Sequence, residues 1–213
     1  MKRNPKNRIE KIIKILNETY PVARTALFYK TPHQILVATI LSAQCTDERV
    51  NTITPGLFKK YKNAYDFAKA KRAVLEKEIR SLGFYKNKAK NIISAFKKIV
   101  KEFNGNVPET MQDLISLPGV ARKTANIVLS SAFKKAEGIA VDTHVKRLSL
   151  RLGLTKESNP DKIERDLMKV VPKKYWLSFN YLLVNHGREI CQARKTLCAE
   201  CCIKQFCPSK KQL

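Results

Sequence analysis

The 213-residue sequence contains few acidic residues, few glycines and no long apolar run. The longest apolar run, residues 35–41, is far shorter than the ~20 residues that cross a bilayer, which excludes a membrane-spanning helix. The start of the chain, residues 1–12, carries charges where a signal peptide needs an unbroken apolar stretch. Seven glycines leave no Gly-rich linker, and no low-complexity tract or repeat is present. We therefore expect a cytoplasmic protein.

The scarcity of acidic residues leaves a large positive charge. The 42 Lys and Arg exceed the 18 Asp and Glu, so the formal net charge is +24. Such an excess indicates a polyanionic partner, and nucleic acid is the first candidate. A proteome that is basic throughout stays open as the alternative. Hydrophobic residues make up 44% of the chain, which excludes a mainly disordered protein.

The apolar residues recur at helical spacing and almost never alternate, so the sequence predicts an all-α protein. The pattern is clearest over residues 89–103, closed by Asn104 and Gly105, and residues 9–16 repeat it. Thr31 and Pro32 predict the capped start of a helix that is apolar on nearly all sides and belongs in the centre of a bundle. Further helices are predicted at residues 47–61, 72–81, 110–116, 121–133, 143–152, 160–170 and 174–187.

Five of the six cysteines lie in the last 23 residues. Four of them are spaced as C-x6-C-x2-C-x5-C, namely Cys191, Cys198, Cys201 and Cys207, and Cys202 is left over. In a cytoplasmic chain this spacing indicates a metal site rather than disulfides. Four thiolates suit either zinc or an iron–sulfur cluster, and the spacing alone leaves both open.

Residues 117–126 predict a helix, a Pro-Gly turn and a second helix. The amides and the positive dipole end of that second helix suit a backbone phosphate, although an ordinary corner of a bundle is the alternative. Arg122 and Lys123 stand in its first turn, where a cation is unfavourable. Arg122 can meet the phosphate. The same field should lower the pKa of Lys123 and make its amine a nucleophile.

Asp142 follows an apolar stretch and precedes a predicted helix. Either Asp142 or Thr143 is expected to be the N-cap of that helix, a position that keeps a carboxylate ionised. An ionised carboxylate suits the stabilisation of a cation better than proton abstraction. His144 is interpreted as a structural hydrogen-bonding residue.

The chain resembles the endonuclease III family, bifunctional DNA glycosylases and abasic-site lyases of base-excision repair. The resemblance runs from near the start of the chain to the last cysteines. Five motifs carry it in the family's order, namely residues 41–47, 83–89, 117–125 and 141–144 and the four spaced cysteines.

The resemblance implies a two-domain helix-hairpin-helix DNA glycosylase fold. A six-helix barrel would cover residues 22–133, with the hairpin at about residues 112–128. Residues 1–21 and 134–213 would form a second domain whose loop, residues 191–207, holds a [4Fe-4S] cluster on the four cysteines. The implied partner is double-stranded DNA with a damaged base or an abasic site, bound by a monomer at the nucleoid.

The same resemblance implies the chemistry. Lys123 would attack C1′ of the damaged nucleotide, and the Schiff base would permit β-elimination 3′ to the lesion. Asp142 would stabilise the cationic sugar and assist the nucleophile. Oxidised pyrimidines such as thymine glycol are the implied substrates.

Further residues match positions that contact DNA in the family. Gln44 would fill the gap left by a flipped base, and Phe84 stands where the family commonly has Leu; a buried aromatic after a turn is the alternative for Phe84. Asp47 would line the base pocket, and an ordinary carboxylate in the first turn of a helix is the alternative for it. Phosphates would be met by Gly119, Ala121, Arg122, Arg194 and Lys195. Ala121 replaces a common glycine and requires a negative φ, and Cys45, in place of a typical Ala, is expected to be a small buried apolar residue.

Other classes stay open beside this interpretation. Adenine-mismatch glycosylases lack the lysine and carry a further C-terminal domain, and thymine-mismatch enzymes usually have Tyr at the lysine position. Lys123 is expected to exclude both classes. The end of the chain at Leu213 is expected to exclude the first class as well. A non-catalytic DNA-binding module, including a zinc-ribbon variant, would bind DNA and never cut it.

Overall fold

The computed structural model describes residues 5–211, which fold into eleven α-helices joined by loops and short 3-10 turns, with no β-strand in that range. In chain order the helices are α1 Pro5–Thr19, α2 Pro32–Leu41, α3 Asp47–Lys60, α4 Ala64–Ala68, α5 Arg72–Glu78, α6 Tyr85–Glu102, α7 Met111–Ile115, α8 Arg122–Phe133, α9 Thr143–Arg151, α10 Pro160–Val170 and α11 Trp176–Glu189. The all-α prediction is confirmed.

The predicted starts and ends hold to within a few residues for most helices. The segment predicted at 72–81 divides into α5 and a 3-10 turn at Arg80–Leu82. Helix α4 was not predicted, although Asn63 and Asp66 form a reciprocal capping box at its start. At the start of α2, Thr31 accepts from the amide of Gln34 as expected.

By contact the chain divides into two compact units. Residues 26–134 form the first, called here the central unit, and the described residues up to 25 and from 135 onward form the second, the terminal unit. The predicted domain that begins at residue 1 and ends at 213 extends past the described residues at both ends. Each unit has a hydrophobic core of its own.

The core of the central unit surrounds α2. Every residue of α2 from Ile35 to Leu41 is buried, as expected for a helix that is apolar on nearly all sides. Phe67 and Phe96 stack against one another in the same core, with ring centroids 4.7 Å apart. The loop that follows α2 and the hairpin formed by α7 and α8 belong to this unit.

The core of the terminal unit joins the two ends of the chain. Ile9, Ile12, Ile13 and Leu16 of α1 are buried in it with apolar residues of α9, α10 and α11. The Arg8 guanidinium donates to the carbonyl oxygens of Leu152 and Phe206, so the first helix is bonded to the last loop.

Candidate active site and metal-binding loop

The predicted hairpin is present as α7, a turn over residues 116–121, and α8. Gly119 has φ +78°, in the left-handed region that favours glycine. A Cβ on Gly119 would lie 2.7 Å from the Cβ of Asn91 on α6, so the turn also requires a residue without a side chain. Ala121 has φ −90°, so its backbone meets the requirement for a negative φ that an alanine in place of a glycine imposes.

Ala121 is the N-cap of α8, and its methyl side chain makes no capping hydrogen bond. The first turn of α8 therefore receives no side-chain acceptor from its cap and keeps the positive dipole end that suits an anion. Arg122 is half-buried, whereas Lys123 is exposed. The structure thus places an accessible amine in the first turn of the second hairpin helix.

Asp142 is the N-cap of α9, as the sequence predicted for this position or the next. Its Oδ1 accepts the amide of Val145 at 2.8 Å, and the side chain is half-buried. The predicted structural role of His144 also fits, because its Nδ1 lies 3.1 Å from Nη2 of Arg147 and must accept from it. Lys123 belongs to the central unit and Asp142 to the terminal unit.

Gln44 and Phe84 share an unusual backbone conformation. Gln44 has φ +53° and Phe84 has φ +46°, both in the left-handed region that non-glycine residues rarely enter. Both side chains are exposed, Phe84 to 66%, so the alternative of a buried aromatic after the Gly83 turn is wrong. Asp47 is the first residue of α3 and is half-buried.

One buried cation in this region was not singled out by the sequence analysis. Lys88 of α6 is only 4% exposed, and its Nζ donates to the carbonyl oxygens of Leu41 and Leu82, at 2.8 Å each. Burial lowers the pKa of Lys88, and the nearby Cys45 opposes that shift. Cys45 is half-buried and packs against the core of the central unit. The position of Lys88 on the buried stripe of α6, four residues before Ile92, was the available signal.

The four spaced cysteines line one small cavity in the terminal unit. Cys191, Cys198, Cys201 and Cys207 share its wall with Lys204 and Lys210, and Cys202 is not part of that wall. Burial raises the pKa of the Cys201 thiol to about 11 and also raises the pKa of Cys207. Within residues 7–210, no three or more His, Cys, Asp or Glu side chains converge as a group for one metal ion.

Arginines of α9 support the first cysteine. Arg151 Nη1 lies 3.2 Å from the Cys191 Sγ, and Arg147 donates to the Cys191 carbonyl through Nε at 3.2 Å and Nη2 at 3.0 Å. Cations that donate to sulfur stabilise thiolates, which are the form that binds a metal or an iron–sulfur cluster. Neither arginine was identified from the sequence. Arg194 and Lys195, which the sequence analysis did identify, are exposed in the loop between Cys191 and Cys198.

The third cysteine has a buried neighbour that the sequence did not indicate. His186 Nε2 lies 3.4 Å from the Cys201 Sγ, and His186 Nδ1 lies 3.2 Å from the hydroxyl of Tyr20. Burial lowers the pKa of His186 to about 4 and raises that of the Tyr20 hydroxyl. The imidazole is therefore neutral at pH 7 and bridges the end of α1 to the cysteine loop.

Comparison with known proteins decides the family. The sequence profile of the HhH-GPD superfamily of base excision DNA repair proteins matches residues 37–173. Endonuclease III of Synechocystis sp. is 56% identical over 204 residues, which cover 96% of this chain and 93% of that relative. This chain belongs to the endonuclease III family. It is a base-excision-repair enzyme, a DNA glycosylase and abasic-site lyase.

Other relatives agree. Endonuclease III of Bacillus subtilis is 42% identical over 200 residues, covering 93% of this chain and 91% of the relative. A solved non-covalent endonuclease III–DNA complex superposes with a TM-score of 0.91 at 38% identity and covers 97% of both chains. A thermostable thymine-DNA glycosylase, with a TM-score of 0.88 at 22% identity, shares the fold. None of the helices within residues 5–211 is long and apolar enough to cross a membrane.

Proposed function

We propose that this endonuclease III family enzyme removes oxidised pyrimidines of the thymine glycol type from duplex DNA. It then cleaves the strand 3′ to the abasic site through a Schiff base on Lys123. The exposure of Lys123 in the first turn of α8, where the cap supplies no side-chain acceptor, carries the proposal. A primary amine that is accessible from solvent can attack an electrophilic carbon and form a Schiff base.

The reaction balances with the groups that this chain supplies. The Lys123 amine attacks C1′ of the flipped nucleotide, a C–N bond forms, and the bond from C1′ to the damaged base breaks. The amine gives up one proton as the base leaves with a proton of its own, and the C1′–O4′ bond of the sugar then breaks. The O4′ oxygen takes up a proton, and C1′ and the lysine nitrogen are joined as an iminium that keeps one N–H. Loss of a proton from C2′ then expels the 3′ phosphate by β-elimination, and water releases the lysine from the sugar aldehyde.

Asp142 is proposed to stabilise the positive charge that develops on the sugar. Its Oδ1 accepts the Val145 amide, which holds the carboxylate at the start of α9. In this role Asp142 acts by its charge, and the cap sets the direction of the carboxylate.

The DNA partner is proposed to be a duplex with a damaged base or an abasic site, bound by a monomer in the cytoplasm at the nucleoid. The turn at Gly119 and Ala121 would meet a phosphate with backbone amides, and Arg122 would add a charge. Gln44 and Phe84 would enter the stack when the base leaves, and Asp47 would line the base pocket. Arg194 and Lys195 would meet phosphates from the cysteine loop.

The cysteine loop is proposed to hold a [4Fe-4S] cluster on Cys191, Cys198, Cys201 and Cys207. The fit rests on four thiols around one cavity whose wall also carries two lysines, with Arg151 directed at a sulfur. Positive neighbours offset the negative charge of four thiolate ligands. When bound, the cluster would cross-link a loop that has little apolar content of its own and so fix Arg194 and Lys195.

Borohydride trapping tests the proposed reaction. On a duplex with one thymine glycol, the wild type should give a covalent complex, whereas Lys123→Gln should bind the duplex and give none. Lys101→Gln removes the same charge from an exposed site on α6 and should trap like the wild type. The same duplex with 8-oxoguanine should trap far less. If Lys123→Gln traps normally, the assigned nucleophile is wrong, and if the folded wild type traps nothing, the lyase mechanism fails.

A further inference from the structure

The buried ammonium of Lys88 joins two segments that are distant in sequence. Its two acceptors are carbonyl oxygens, that of Leu41 at the end of α2 and that of Leu82 at the end of the 3-10 turn. These positions lie 47 and 6 residues before Lys88. The last carbonyls of a helix point away from the helix and carry its negative dipole end, so an ammonium is a favourable partner.

Each of these carbonyls lies two or three residues before an exposed residue whose backbone is in the left-handed region. Gln44 lies three residues after Leu41, and Phe84 lies two residues after Leu82, both with a positive φ. A left-handed conformation is strained for a non-glycine residue, and it persists only where the surrounding structure holds it. The two bonds from Lys88 anchor the backbone just before each of these residues.

Packing alone does not require a charge at this position. A buried ammonium pays a desolvation cost, which is why burial lowers the pKa of Lys88. A methionine would fill a similar volume without that cost. The ammonium adds two hydrogen bonds from one nitrogen to two carbonyl oxygens, and these bonds set the distance between the two carbonyls.

We propose that Lys88 is a positioning residue that holds the Gln44 and Phe84 loops at a fixed separation, so that both side chains can enter the duplex as a base is flipped out. This inference rests on the proposed function, in which Gln44 and Phe84 fill the stack. The demand on position is strict because successive bases are 3.4 Å apart, and a misplacement of about 1 Å can cost about 100-fold in rate.

The test separates base extrusion from the chemistry of Lys123. Lys88→Met should lower the single-turnover rate of thymine glycol excision from a duplex by about 10-fold to 100-fold. Borohydride trapping on a single-stranded abasic oligonucleotide needs neither flipping nor stack filling, and there Lys88→Met should stay within about 2-fold of the wild type. Lys101→Met is the matched control on α6 and should leave both rates unchanged.

A double-mutant cycle tests whether Lys88 acts through the two loops. In a Gln44→Ala, Phe84→Ala background, Lys88→Met should lower duplex excision by no more than about 2-fold, because the side chains that it positions are gone. A full effect in that background would overturn the inference. Equal loss on duplex and single-stranded substrates would do the same, since it indicates a general structural defect.

A second variant covers the case in which Lys88→Met does not fold. Lys88→Arg keeps the charge and the donors but changes the distance between them. It should fold, trap on the single strand, and lose excision from the duplex; normal excision would count against the inference. A wild type that traps neither on the single-stranded abasic site nor on the thymine glycol duplex would instead refute the role of Lys123, whatever Lys88 does.

Discussion

The turn at Gly119 permits a quantitative prediction, because two separate effects oppose any side chain there. The positive φ of +78° would strain an alanine by about 1 to 2 kcal/mol. The added Cβ would meet Asn91 at 2.7 Å, and crowding of this kind costs about 1 to 3 kcal/mol. Alanine restricts the unfolded chain, which offsets about 0.4 to 1 kcal/mol. We expect Gly119→Ala to lower the free energy of unfolding by about 1 to 4.6 kcal/mol.

The two effects can be separated by experiment. Urea unfolding followed by circular dichroism gives the free energy for each variant. Asn91→Gly removes the three atoms nearest to the added Cβ and leaves the backbone conformation of Gly119 as it is. In that background Gly119→Ala should cost only the strain, so the coupling energy should be about 1 to 3 kcal/mol.

A matched control lies in α3. Gly56 is exposed, sits inside that helix, and has nothing within 4 Å of an added Cβ. Gly56→Ala should therefore raise the free energy of unfolding by about 0.5 to 1 kcal/mol. The reasoning is refuted if Gly119→Ala changes stability by less than about 0.5 kcal/mol, or if its cost is the same with Asn91 and with glycine at that position.

Three further predictions follow from the remaining sites. Asp142→Asn keeps a capping oxygen and should leave the free energy of unfolding within about 0.5 kcal/mol of the wild type, whereas Asp142→Ala should lower it by about 1 kcal/mol. Both variants should lose borohydride trapping. An Asp142→Asn variant that traps normally would contradict the role of the charge. Cys198→Ser should lower iron per chain and the melting temperature, while Cys202→Ser should change neither; the reverse result would reassign the ligands. Burial lowers the pKa of Lys88 in the folded chain below the ordinary value of 10.5. At a pH between the folded-state pKa and 10.5, the unfolded chain therefore binds a proton that the folded chain has lost. The unfolding free energy of the wild type should therefore rise with pH there relative to Lys88→Met, and a flat difference in urea titrations would exclude the burial effect.

Features set by neighbouring residues were predictable from the sequence. The start of α2 at Thr31 and Pro32 and the cap of α9 at Asp142 depend on side chains within three residues, and both are as predicted. Helix α4 was missed because its five residues show no clear apolar period, and the capping box of Asn63 and Asp66 was the signal that could have revealed it.

Features set by distant partners could not be predicted in the same way. Lys88 bonds to a carbonyl 47 residues away, and Tyr20 meets His186 across 166 residues. No local period reveals such pairs, since they depend on how the helices pack. The exposure of Phe84 follows from its left-handed backbone, which the preceding Gly83 suggested without settling the direction of the ring.

The bonds from Arg8 to the last loop have a consequence for synthesis on the ribosome. Helix α1 is made first, but the residues that cover Ile9, Ile12 and Leu16 come after residue 134. Because synthesis proceeds at about 5 to 20 residues per second, the apolar face of α1 stays uncovered for about 10 to 40 seconds. The contiguous central unit can fold as soon as it has been made. The nascent chain thus exposes the apolar face of α1 until residues beyond 134 have been made, which makes α1 a segment that a chaperone would bind.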